Sequence, residues 1–207
     1  MNPIRSIVDS QFKSQNLLLG FAFFLSPAIV FALLLGLFGF SLNFSSIGLG
    51  IAKDFAYWVL ASIVLFILLL AFKGKETNGH FKGIMSALSV TYLISAITFL
   101  LMAMVVHVSI PGFFAKIASL QGKEATFEQL VSVISSMALP DSLVLLVIYG
   151  IIAAIGLLAL LFSLYVPFRI GNLVKPSTGF SNSVMVVVYL GIAYLVSLGL
   201  GTIFALI

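Results

Sequence analysis

Long apolar runs separated by short polar breaks organise the whole chain. Five runs stand out, approximately Leu17 to Phe40, Phe55 to Phe72, Ile84 to Ile110, Leu143 to Phe168 and Val184 to Ile207. Each is near the roughly 20 residues that an α-helix needs to cross about 30 Å of hydrocarbon. The pattern therefore predicts an all-α, polytopic transmembrane bundle of five spans, forming one membrane domain over 1–207. A secretory signal is the competing reading of the first run. That run is longer than a secretory apolar region, has Pro27 at its middle and lacks a convincing A-x-A cleavage site, so a permanent span is expected.

Two segments outside the spans show helical periodicity. At the N-terminus, Asn2 and Pro3 make a good helix start. Ile4, Ile7, Val8 and Phe12 then recur at helical spacing, with Arg5, Asp9 and Lys13 elsewhere around the helix. The pattern suits a short helix over 1–16 lying in the membrane interface, and equally one packed on the bundle's own loops. Between the third and fourth spans, Pro111 to Asp141 carries Phe113, Ile117 and Leu120 on one face. After Gly122, Thr126 and Gln129 form a capping box ahead of Phe127, Leu130, Val131, Ile134 and Met137. This predicts two short amphipathic helices outside the membrane, followed by Pro140 and an Asp141 N-cap for the fourth span.

Composition agrees with the pattern. With 62% hydrophobic and 8% charged residues and a mean hydropathy of +1.27, the chain could not cover a soluble domain with polar surface. Its few cations set the orientation. Arg5, Lys13, Lys73, Lys75, Lys82, Arg169 and Lys175 fall on one side; Lys53, Lys116 and Lys123 fall on the other, with Asp54, Glu124, Glu128 and Asp141. Lys and Arg are retained in the cytoplasm, so the N-terminus is expected inside and, after five crossings, the C-terminus outside.

Candidate chemistry is sparse. There is no cysteine, hence no disulfide framework, thiol nucleophile or Cys metal site. The loop FKGKETNGHFKGIMSAL after the second span is basic and contains glycine, but GKET at Gly74 to Thr77 lacks the first glycine of a phosphate-binding loop and follows a membrane helix. Its lysines read as topogenic, with attraction to anionic head groups worth about 1 kcal/mol per basic residue near the surface. His80 reads as solvated, and His107 as an interfacial side chain near the outer end of its span. On this reading no Asp, Glu, Lys or Arg lies near the centre of a span, where proton relays and coupled transporters place them. Ser26 beside Pro27 reads as a kink whose hydroxyl re-satisfies the backbone. No catalytic motif is found. The expectation is no catalysis, cofactor, metal or nucleic-acid partner.

Small residues four apart, such as Ala87, Thr91 and Ser95, or Ala193, Ser197 and Gly201, predict close helix packing. Several stretches then carry a family resemblance: the N-terminal NPIRSIVD, the basic loop leading into a small-residue helix (GHFKGIMSALSVTYL), and the polar turn before the last span (FRIGNLVKPSTGFSNSVMVVVYLGIAYL). With five spans and an internal N-terminus, the layout resembles the Yip family, five-helix membrane proteins known in eukaryotes as Rab-GTPase-interacting factors of the early secretory pathway. Only about sixteen residues precede the first span, as in short prokaryotic members, which implies a bacterial inner or archaeal plasma membrane. The resemblance implies a non-catalytic organiser of membrane shape, trafficking or complex assembly. The expected partners are anionic lipids and a membrane protein or second copy, and the cations beside the spans, Lys73, Lys75, Lys82, Arg169 and Lys175, are the candidate contacts. The alternative is a small permease or channel along Ser62, Ser86, Ser89, Thr91, Ser95, Thr98 and Ser197.

Overall fold

A computed structural model describes residues 3–40, 44–119, 141–176 and 179–205. Among these residues every regular element is helical: α1 (Pro3–Ser14), α2 (Leu17–Leu37), α3 (Phe44–Lys73), a 3₁₀ turn (Gly74–Thr77), α4 (Phe81–Leu88), α5 (Val90–Ser109), α6 (Phe113–Ala118), α7 (Ser142–Val174) and α8 (Gly179–Ala205). Five helical stretches are long and apolar enough to cross a membrane: Leu17–Leu37, Ile47–Thr77, Phe81–Ser109, Ser142–Val174 and Ser181–Thr202. Their outward side chains are apolar along most of their length, including Leu18, Leu33, Ile67, Phe99, Leu146, Leu158 and Leu195. Such a surface is stable only against lipid, and the chain is a multi-pass membrane protein of the all-α class. Asn2, and the second outer helix with its Thr126 and Gln129, lie outside the described residues.

Some helix starts and breaks have a local cause, and others do not. Asn16 caps α2, its Oδ1 accepting from Leu19 N at 3.1 Å. Pro27 inside α2 cannot donate to the Phe23 carbonyl four residues back, and Ser26 Oγ meets that oxygen at 2.6 Å. Asp141 occupies the N-cap position of α7, but its side chain makes no capping bond. The third apolar run is two helices. Around Ser89, the Met85 carbonyl accepts from Trp58 Nε1 at 3.0 Å and the Ser86 carbonyl from Ser89 Oγ at 2.6 Å, so side chains meet main-chain oxygens in the last turn of α4.

α3 differs most from expectation. The apolar run suggests Phe55 as its start, whereas the helix begins at Phe44 and carries Lys53 and Asp54 ten residues inside it. Those charges interrupt the hydropathy, not the helix.

α3 packs along α8, α2 along α5, and α5 along α7, while α4 touches α1, α2, α3, α5 and α7. This short helix is the hub of the molecule, with Ile84, Ser86, Ala87 and Leu88 all buried. It accepts close neighbours because it carries small residues. A Cβ on Gly83 would lie 2.6 Å from the Phe12 carbonyl oxygen, and one on Gly20 of α2 would lie 3.2 Å from Ser86 Cα. Phe24 and Trp58, stacked with centroids 5.2 Å apart, join α2 to α3, and Tyr92 meets Phe24 edge-on at 5.1 Å.

Candidate functional site

The end of the bundle that holds the N-terminus also holds seven cations, Arg5, Lys13, Lys73, Lys75, Lys82, Arg169 and Lys175, against the two carboxylates Asp9 and Glu76. α1 is packed on the bundle: Val8, Gln11 and Phe12 are buried, and the helix lies against α4 and α7. Gln11 is the residue the apolar pattern missed. Ser86 Oγ lies 2.6 Å from Gln11 Oε1 and 2.9 Å from the Asn16 carbonyl. One hydroxyl proton serves one oxygen at a time, so Ser86 donates to Gln11 Oε1 or to the Asn16 carbonyl, both of which lie within its reach.

The five candidate contact residues divide sharply. Lys73 is buried at 6% exposure and its Nζ donates to the Lys175 carbonyl at 3.2 Å, at the C-terminus of α7 where a cation is favoured. Lys175 Nζ in turn reaches Glu76 Oε1 at 2.9 Å, so the end of α3 and the 3₁₀ turn are each tied once to the C-terminal end of α7. Arg169 grips Asp9 with two parallel bonds, Nε to Oδ1 at 2.7 Å and Nη2 to Oδ2 at 2.6 Å. The guanidinium holds the Asp9 carboxyl below the usual carboxylate range, with Arg5 and Lys13 adding smaller pulls. Lys73 and Arg169 therefore brace the basic end from within. Lys75 and Lys82 are exposed, as are Arg5, Lys13 and Lys175. His80 stacks on Phe12 at 5.3 Å. His107 sits at the other end against Phe38 and Phe114.

A second polar feature was not foreseen. Lys53, Asp54 and Tyr57 of α3, Thr91, Tyr92 and Ser95 of α5, and Ser197 and Leu200 of α8 line a cavity of about 380 Å³. Tyr92 donates its hydroxyl to the Asp54 main-chain oxygen at 3.1 Å. On its other side Asp54 borders an adjoining cavity of about 310 Å³ with Pro27, Ala28 and Phe31. Pro27 is the middle residue of α2, whereas on α3 both charges lie in the first third of the apolar stretch Ile47–Thr77. What is corrected is the start of the second span, which takes in Lys53 and Asp54 toward one end rather than beginning after them. The apolar run starts at Phe55, which left both charges outside the expected span.

The other span hydroxyls are engaged by backbone. Ser62 donates to the Trp58 carbonyl, Thr98 to that of Ile94, and Ser62, Ser86 and Ser89 are fully buried. Among the described residues no group of three His, Cys, Asp or Glu side chains is placed to hold a metal ion. Compared with known proteins, the chain matches no family model, no curated protein and no solved structure.

Proposed function

We propose that this chain is a non-catalytic, Yip-type membrane organiser that gathers anionic lipid, and through it partner proteins or a second copy, at its basic end. In this reading the N-terminus and basic end are cytoplasmic, α8 ends outside, and the address is a bacterial inner or archaeal plasma membrane. The observation that carries it is the bracing of that end. Asp9, Glu76 and the Lys175 carbonyl engage Arg169, Lys175 and Lys73, which fixes α1, the 3₁₀ turn and α7 relative to one another. Lys13, Lys75 and Lys82 are then held outward on a preformed surface. Clustered cations beside a span are the sequence-readable form of anionic-lipid recognition.

The polar cavity favours a second reading, a small permease or channel. Against it, Ser62, Ser86 and Ser89 are sealed in the core, so the hydroxyls of the spans do not line a continuous path, and conduction needs a lined one. Reconstitution into liposomes separates the two readings. An organiser leaves the flux of potassium, protons and small solutes at the level of protein-free liposomes, whereas flux that rises with protein density makes the conduit the better reading.

A further inference from the structure

The cavity between α3, α5 and α8 carries chemistry that an organiser does not use. Lys53 and Asp54 are successive residues, about 100° apart around α3, and both line it. Among the described residues neither the ammonium nor the carboxylate has an ion-pair partner within 4.0 Å, and they do not pair with each other. The ammonium lies toward α8, where a Cβ on Gly201 would be 3.9 Å from Lys53 Nζ. Tyr92 bonds the main-chain oxygen of Asp54 and leaves its carboxylate oxygens to accept elsewhere. Thr91 and Ser95 give their protons to the Leu88 and Thr91 carbonyls, so each keeps a hydroxyl oxygen able to accept from a ligand. Ser197 adds a hydroxyl from α8. Ionised groups inside a span are costly and mark function by default.

We propose that this cavity binds a zwitterion, with an ammonium set against Asp54, Thr91 and Ser95 and a phosphate or carboxylate set against Lys53. The pair itself selects this class. A lone anion would answer Lys53 while adding like charge beside Asp54, and a lone cation would do the reverse; only a ligand bearing both charges answers both. The volume of about 380 Å³ lies at the lower end for small-molecule sites and suits a head group or compact solute, not a whole lipid. The adjoining cavity of about 310 Å³, lined largely by apolar residues including Pro27, Phe31 and Phe99, meets the first at Asp54. An acyl chain entering there would have its head group at the charged pair. An ethanolamine phospholipid and a free zwitterionic solute share the recognising chemistry.

The test uses the full chain, purified in non-ionic detergent at high ionic strength to screen the exposed basic end. It is titrated with phosphatidylethanolamine and phosphatidylglycerol of identical chains, and occupancy is read by native mass spectrometry. The expected result is at least about tenfold tighter retention of the ethanolamine lipid. That preference is lost in Lys53→Gln and in Asp54→Asn and kept in Lys75→Gln/Lys82→Gln, so failure here is distinguishable from failure at the basic end. Soluble phosphoethanolamine is then added as competitor. Displacement of the lipid assigns the site to free solutes as well, and no displacement assigns it to lipid; both support a zwitterion site. Equal retention of the two lipids, a preference for the glycerol lipid, or a preference that survives both cavity substitutions overturns it. The wild-type comparison stands even if a variant fails to fold.

Discussion

At Gly83 one methyl group decides whether α1 stays docked. In an exposed helix, Gly to Ala gains about 1 kcal/mol, but here the added carbon would sit 2.6 Å from the Phe12 carbonyl oxygen, a backbone atom with no rotamer to move. Gly83→Ala is therefore expected to lower the thermal midpoint and expose α1 to protease; an unchanged or raised midpoint would mean that α1 is not held this closely. Asp9 makes a different kind of contact, one that depends on pH. Its folded carboxyl is held below the usual range by Arg169, so the pair's contribution is fully present above the unfolded value of about 3.9 and is lost as pH falls through the lower folded value. Asp9→Asn should cost about 1–3 kcal/mol at pH 7, measured as a lower midpoint. The gap to the unsubstituted protein should close as the solution is taken below about pH 4, and a gap that persists in acid would mean that the carboxylate charge contributes little.

The elements were legible in proportion to how local their causes are. Four of the five spans coincide closely with their apolar runs, and the Pro27 defect with its Ser26 remedy could be read from two adjacent residues. α3 could not be read this way, because hydropathy stops at Lys53 and Asp54 while the helix continues to Phe44; what accommodates those charges is a cavity shared with α5 and α8, far away in sequence. The break at Ser89 was hidden for the same reason, since Trp58 reaches the Met85 carbonyl across 27 residues. Trp58→Phe keeps a ring against Phe24 while removing the indole N–H. The orphaned carbonyl is expected to cost about 1–3 kcal/mol, seen in thermal unfolding in detergent; no change would show that the α4–α5 junction holds without it.

At the scale of the whole molecule, charge alone picked out the basic end but could not sort its members. Lys73 and Arg169 look like contact residues in the sequence and serve as braces in the structure, because their partners, the Lys175 carbonyl and Asp9, lie 102 and 160 residues away. The cavity at Lys53 was invisible for a related reason: its lining is contributed by three helices. Of the exposed cations, Arg5 lies 3.9 Å from Asp9 and Lys175 is tied to Glu76; the central claim is that Lys13, Lys75 and Lys82 bind anionic lipid. At about 1 kcal/mol each, replacing all three by Gln should weaken that binding by roughly a hundredfold. The decisive measurement is the anionic-lipid content of nanodiscs assembled from mixed anionic and zwitterionic lipid around the full chain, at low salt, with and without these substitutions. Enrichment of anionic lipid around the unsubstituted protein that disappears in the triple variant, with the thermal midpoint unchanged, is the expected result. Equal lipid composition in both would contradict the claim.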